Sequence, residues 1–345
     1  MRVTSTDDVI AMIDGVYVSA ALGVAMELGL FWVLADGPRE ATDVAHVLGI
    51  PARRCGYWLQ LLCSTGLLER RGARYAVSAE GRIAILDAYS QESWAFVARE
   101  NRKRLPAVTD LVRGIREPGS VWESQGRKPP DYFAQMVDDP GRARAFTRTL
   151  FEIHQPMAEA LANSLNMDGV DRMMDLGGGS GVMSMALLRR YPNLSAVVVD
   201  IPNVCVAGRE LAREYGLEGR ISYQPADFIE DDLPSGFDLV LECDVAEYEV
   251  QFLRKLWRAL RPGGRLVIID KFAPGEGIAP ETHRHWAFLA SLVNPDYGGQ
   301  GAPAVLQQLE EAGFALLSER ILPAGESERW SSGWTIIEAR RAEDG

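Results

Sequence analysis

The residues Asp175-Leu176-Gly177-Gly178-Gly179-Ser180-Gly181 follow one apolar run and open a helical stretch. Glycines are needed where backbone must turn sharply and approach a ligand closely. A nicotinamide loop would read G-x-G-x-x-G, but its sixth position here is Val182, and the Gly-Lys-Ser/Thr end of a phosphate loop is absent. The acid before the glycines disfavours a phosphate and suits a cationic ligand. Asp200 ends the next apolar run, about 20 residues on, where an acid can accept both hydrogen bonds of a ribose diol. Asp227-Phe228 follows the third run, where a carboxylate and a ring could hold an adenine. Any one of these acids alone reads as a helix cap or turn residue. Acids at the ends of three successive strands point to a nucleoside site.

These acids need a scaffold that aligns strand ends. Met173 to Leu176, Ala196 to Val199, Ile221 to Tyr223, Asp238 to Leu241 and Leu266 to Ile269 are short apolar runs separated by helical stretches. That rhythm predicts a parallel sheet with helices on both faces, an α/β Rossmann-like domain. Ala315 to Leu317 and Thr335 to Glu338 predict two more strands at the edge.

The N-terminal part differs. Apolar residues recur at helical spacing through Val9 to Ile13 and Val16 to Leu28, and a further helix opens at Thr42, read as its cap. Gly49-Ile50-Pro51 separates it from one carrying Tyr57, Trp58, Leu59, Leu61 and Leu62. Gly66 to Val77 reads as two short strands around a turn. Helices followed by a hairpin form a winged-helix pattern. Its third helix is apolar and aromatic, which favours a dimerisation module over a DNA reader. The division expected is a winged-helix domain over 1–105, a helical linker contributing to the substrate pocket over 106–165, and a nucleoside-binding domain over 166–345.

The 345 residues suggest two domains, and with 47% apolar residues they can bury sizeable cores. A net charge of −12 argues against nucleic acid and anionic membranes as partners. No apolar run is expected to reach the roughly 20 residues of a membrane span. The polar start, Met1 to Asp8, lacks a signal-peptide pattern. Cys55, Cys63, Cys205 and Cys243 are scattered, as expected of reduced thiols in a cytoplasmic protein. The first helices carry apolar residues on more than one face (Val16, Leu22, Met26, Leu28 and Phe31), which predicts a homodimer.

Taken together, Ala20 to Phe31, Asp175 to Gly181, Val199-Asp200-Ile201-Pro202, Ala226-Asp227-Phe228, Leu260-Arg261-Pro262-Gly263-Gly264 and Ala312-Gly313-Phe314 make the chain resemble the plant-type and bacterial natural-product O-methyltransferases. The resemblance covers nearly the whole chain. It implies S-adenosylmethionine as cofactor and a small-molecule acceptor. It places Gly177 against the amino-acid part of the cofactor, Asp200 and Ile201 at its ribose and adenine, Asp227 and Phe228 at the adenine, and Cys243 at the contact after the fourth strand, with Asp175 and Gly179 also expected to bind the cofactor.

The family's catalytic stretch is Leu-His-Asp-Trp, whose His deprotonates the acceptor hydroxyl. This chain reads Cys243-Asp244-Val245-Ala246-Glu247-Tyr248-Glu249, without a His. Glu247 takes the His position when counted from the strand, and Glu242 when counted back from the next helix. Of the two acids that flank the family's His, Asp270 survives and the second is lost near Gly301. The resemblance puts His154 at a pocket-lining position and His285, Phe288 and Asn294 on the pocket-side helix. His154 and Glu247 are therefore the expected catalytic residues, with His285, Phe288 and Asn294 expected to meet the acceptor. No metal is expected, although His283 or His285 with Asp244 is conceivable as a metal site.

A phenol, with a pKa near 10, profits from a base. Once ionised it can be methylated on oxygen or on the ortho ring carbon, and loss of the usual His makes carbon methylation a contender. The expected activity is methyl transfer to a small hydroxylated aromatic or amino-acid-derived acceptor in natural-product biosynthesis. Ordinary O-methylation by proximity, metal-assisted carbon methylation of an α-keto acid, and a non-methylating enzyme that keeps the cofactor as structure remain open, as does a ligand-binding regulator.

Overall fold

The computed structural model describes residues 3–109, 111–128, 131–273, 278, 284–294, 297–298, 300–322 and 333–342. The chain divides into two compact units, 1–109 and 110–345.

The first unit begins with α1 (Thr6–Leu28), α2 (Leu30–Val33), β1 (Arg39–Glu40), α3 (Ala41–Leu48) and α4 (Ala52–Cys63). The hairpin β2 (Leu68–Arg71) and β3 (Arg74–Val77) follows, then the single turn α5 (Ala79–Gly81) and α6 (Gln91–Thr109). The strands form a small sheet in the order β1-β3-β2, so the expected hairpin gains a third strand at Arg39–Glu40. Thr42 lies inside α3 and does not cap it: Glu40 holds the cap position and makes no side-chain capping bond. The two apolar runs at the start are one continuous helix, α1. Ser5 starts it with a capping box to Asp8, and Gly29 stops it in the left-handed conformation.

This helix corrects one expectation. Although Asp14 interrupts the apolar run, α1 as a whole is long and apolar enough to cross a membrane by length and composition. Only 11% of its most apolar stretch is buried, and Val9, Ile10, Met12, Ile13, Val16 and Tyr17 are exposed. Its buried residues, Ala25 and Met26, join Leu30, Phe31, Leu34, Leu59 and Leu62 in the unit's core.

The second unit opens with the helices α7 (Leu111–Arg116), α8 (Tyr132–Asp138) and α9 (Pro140–Ser164). The helical pattern from Tyr132 thus breaks once, at Asp139, whose side chain caps α9 ahead of Pro140. Alternation then follows: β4 (Arg172–Leu176), α10 (Val182–Arg190), β5 (Ser195–Asp200), α11 (Pro202–Glu214), β6 (Ile221–Pro225), β7 (Phe237–Cys243), α12 (Val250–Ala259), β8 (Leu260–Asp270), α13 (Arg284–Val293), α14 (Ala302–Glu311), β9 (Phe314–Ile321) and β10 (Thr335–Arg341).

The seven strands lie in the order β6-β5-β4-β7-β8-β10-β9. The first five run parallel, whereas β10 is antiparallel to both of its neighbours and β9 forms the edge. Each apolar run feeds both faces of the sheet. Met173, Val198, Leu239, Leu241 and Val267 pack with Phe151, Leu161, Met185 and Leu187 of α9 and α10. Met174, Leu176, Val199, Val240 and Ile268 pack with Phe252, Leu256, Val305 and Leu309 of α12 and α14. This alternation explains why the strands read as unbroken apolar runs. The strand order reverses beside β4, and the crevice above that reversal is where ligands of such sheets bind.

Candidate functional site

A cavity of about 460 Å³ opens at the carboxyl ends of β4, β5, β6 and β7. One wall is the glycine loop, Gly177 to Ser180, with Asp175, Asp200, Ile201, Asp227 and Phe228. The other carries Tyr132 and Phe133 of α8, Phe146, Thr147, Leu150 and His154 of α9, and Trp334 before β10. Cys243, Asp244 and Val245 connect the two walls.

The loop is shaped by its glycines. Gly177, Gly179 and Gly181 have φ of 62, 57 and 78°, which favours glycine. A Cβ on Gly177 would stand 2.7 Å from Val245 Cγ2, so the segment after β7 lies directly against the loop. At Gly179 a Cβ would meet nothing within 4 Å, leaving room for a ligand against bare backbone. The Gly179 N–H donates to Asp200 Oδ2 at 2.8 Å, and the Ile201 N–H donates to Oδ1 at 2.7 Å. Each carboxylate oxygen keeps a further lone pair.

Burial sets the charges. Asp175 is fully buried. Its Oδ2 accepts the Ser184 hydroxyl at 2.6 Å, while Oδ1 has no partner. Burial pushes the carboxyls of Asp175 and Asp200 up to about 6. His154 moves the other way: burial, with the Lys271 charge, lowers it to about 4, so the imidazole is neutral at pH 7. Burial lowers Lys271 to about 8, against the pull of Asp244 and Asp270. Burial and the neighbouring Asp244 hold the Cys243 thiol well above its usual range, so it remains a thiol.

The structure brings Asp175, Gly177, Gly179, Asp200, Ile201, Asp227, Phe228, Cys243 and His154 to this one cavity. It does not bring Glu247 there. After β7 the backbone turns left-handed at Asp244 and Ala246, with φ of 58 and 59°, and Glu247 Oε1 folds back to accept the Glu249 N–H at 3.1 Å. His285, Phe288 and Asn294 are also outside the cavity wall. All three are exposed on or just after α13, and its Leu292 is the buried residue. Among the described residues no group of three His, Cys, Asp or Glu side chains is arranged to hold a metal; His283 lies outside those residues.

Several wall residues are not among those the sequence singles out for cofactor or acceptor. Asp244, conceivable from the sequence only as a metal ligand, directly follows the strand that ends at Cys243. Tyr132 starts the helical pattern before α9. Trp334 directly precedes the last apolar run.

Residues 108–315 match the family model of an O-methyltransferase domain, and residues 10–84 match that of an O-methyltransferase dimerisation domain. A 3-hydroxy-5-methyl-1-naphthoate 3-O-methyltransferase of Streptomyces sahachiroi is 36% identical over 230 residues, 66% of this chain. That match spans 64% of the relative's own length. An N,N-dimethyltransferase of Streptomyces rimosus is 30% identical over 324 residues, covering 92% of this chain and 91% of the relative. The solved structure of a mitomycin 7-O-methyltransferase is 25% identical with a TM-score of 0.80, and 97% of each chain is covered.

Proposed function

Because the chain belongs to the O-methyltransferase family, we propose that it moves a methyl group from S-adenosylmethionine to a small hydroxylated aromatic or amino-acid-derived acceptor in natural-product biosynthesis. The supporting observation is the single cavity in which a glycine loop with three strand-end acids faces a chamber of Tyr132, Phe133, Phe146, Leu150 and Trp334. A relative that acts on a naphthoate agrees with a flat aromatic acceptor in such a chamber.

The residues present fit the cofactor. The open backbone at Gly179, the unpaired Asp175 oxygen and the spare lone pairs on Asp200 are the features a nucleoside joined to a charged amino acid requires. Asp200 and Ile201 would hold the ribose and adenine, Asp227 and Phe228 the adenine, and Asp175, Gly177, Gly179 and Cys243 the amino-acid end. The bound cofactor supplies a methyl group already activated on a sulfonium. The protein's task is then to orient the acceptor, exclude water and manage one proton. Tyr132, Phe146 and Trp334 would clamp a ring by its faces and edges. Neutral His154 would hydrogen-bond a polar group of the acceptor other than the reacting hydroxyl and orient it.

The wall from Cys243 to Val245 contains no histidine, and this keeps methylation of a ring carbon beside methylation of oxygen as a second reading. The partner is a second copy of the chain, joined through residues 1–105. The dimerisation-domain match and the exposed apolar face of α1 support that assembly. The test is production of S-adenosylhomocysteine from S-adenosylmethionine that depends on an added phenolic acceptor. Hydroxynaphthoates, catechols and L-tyrosine serve as the panel, and cofactor consumption without any acceptor dependence would overturn the reading.

A further inference from the structure

We propose that Asp244 is the proton acceptor of the transfer step, taking the acceptor's hydroxyl proton as the methyl group arrives. This rests on the methyltransferase reading above and names the group that would replace the missing histidine.

Asp244 directly follows β7, and its N–H donates to the Ile269 carbonyl at 2.9 Å, which ties it to the end of β8. Its left-handed backbone, with φ of 58°, is one that Asp adopts more readily than most residues. The next residue, Val245, lies against Gly177, so Asp244 stands where the cofactor loop meets the acceptor chamber. Its side chain is exposed to the cavity and accepts no hydrogen bond from the described residues.

The other carboxylates of the site are otherwise engaged. Asp175 holds Ser184, Asp200 holds the glycine loop, and Asp227 Oδ1 accepts the Ile229 N–H at 3.0 Å. Asp270 accepts the Tyr248 hydroxyl and the Lys271 N–H. Glu242 is 1% exposed, does not line the cavity, and neither carboxylate oxygen makes a hydrogen bond. The Val245 and Ala246 N–H groups are near enough to Glu242 to favour its charge, but burial and Asp270 outweigh them and push its carboxyl well above the usual carboxylate range.

The charges facing Asp244 tune it. Removal from bulk water among the cavity walls, and next the Asp270 charge, push its carboxyl up to about 7, while Lys271 pulls it down. Water in the open cavity screens this shift, and an acceptor that displaces the water strengthens it. A base works best when its pKa lies near the working pH. Asp244 meets that condition, whereas His154, lowered to about 4, is too weak a base. In the step, the acceptor O–H bond breaks and the proton passes to an Asp244 oxygen. The electron pair left on the acceptor oxygen forms the new bond to carbon, and the C–S pair withdraws onto sulfur and cancels its charge.

The test compares the full-length wild type with Asp244→Asn and Asp244→Glu, using whichever acceptor of the panel the wild type methylates. Asparagine tolerates the left-handed backbone, and thermal unfolding checks that each variant is folded. We expect Asp244→Asn to bind S-adenosylhomocysteine within about twofold of wild type, to lose about 100-fold or more in kcat, and to lose the acid limb of kcat near pH 7. Asp244→Glu should recover part of the rate together with that limb, and it stands as the test if the Asn variant fails to fold. A rate and pH profile like wild type in Asp244→Asn would overturn the proposal. So would a tenfold loss of S-adenosylhomocysteine affinity, which would make Asp244 a cofactor ligand instead. If the wild type methylates no acceptor, the functional reading fails and this inference falls with it; if only the variants behave as wild type, the inference alone fails.

Discussion

The hydroxyl of Tyr223, on β6, donates a 2.7 Å hydrogen bond to the Ser180 carbonyl oxygen in the glycine loop. The ring also fills the space left by two glycines: a Cβ on Gly181 would meet its hydroxyl at 2.8 Å, and one on Gly208 would meet the ring at 2.2 Å. A strand next to the loop's own neighbour therefore fixes the loop's shape. Tyr223→Phe leaves a buried carbonyl without its donor, which costs about 1–3 kcal/mol. Part of that cost should appear as weaker cofactor binding. We expect about a tenfold rise in the S-adenosylhomocysteine dissociation constant by calorimetry, with the secondary structure unchanged. Unaltered affinity would mean that the loop holds its shape without Tyr223.

If Asp200 holds the ribose, cofactor binding should depend on pH. Its folded pKa, about 6, lies above the usual value of 3.8, so the cofactor-free fold carries a buried-charge cost that appears as pH rises from about 4 to 6. This group therefore lowers stability across that window as it ionises. Ribose hydroxyls donate hydrogen bonds and prefer the carboxylate, so S-adenosylhomocysteine affinity should rise as pH passes upward through 6. Calorimetry at pH 5, 6 and 7 checks the direction, and Asp200→Asn should flatten most of the rise. Asp200→Ala should cost at least about 1–2 kcal/mol of binding at pH 7, the loss of charged hydrogen bonds.

The exposed face of α1 predicts association. Ile10, Ile13, Val16 and Tyr17 are each more than half exposed, more than an isolated unit would leave in water. Light scattering at micromolar concentration should give a dimer, and Ile13→Asp should shift it toward monomer. A monomeric wild type would contradict the assembly, and capture by lipid vesicles would assign the same face to a membrane.

Much of the fold was legible because the sheet is buried on both faces. Met173 to Leu176 and Leu266 to Ile269 could be read as strands from apolarity alone, and the glycines with Asp200 and Asp227 marked the strand ends. Counting failed where the backbone left regular geometry. Two left-handed residues, Asp244 and Ala246, redirect the chain after β7, so the position matching the family's histidine by count carries Glu247 away from the cavity. The exposure of His285, Phe288 and Asn294 had no local signature either, since it depends on which face of α13 buries Leu292. The continuity of α1 through Gly15 and Gly23 was hidden because each glycine weakens the helical pattern read in short windows.

The direct measurement is transfer of a deuterated methyl group. The protein is incubated with S-adenosylmethionine bearing a CD3 group and with each phenolic acceptor of the panel. The products are followed by mass spectrometry, and magnetic resonance locates the label. The expected product is an acceptor heavier by one CD3 in place of hydrogen, formed one-for-one with S-adenosylhomocysteine, the label lying on oxygen or on the adjacent ring carbon. Tight binding of the cofactor with no labelled product from any acceptor in the panel would contradict the proposed methyl transfer.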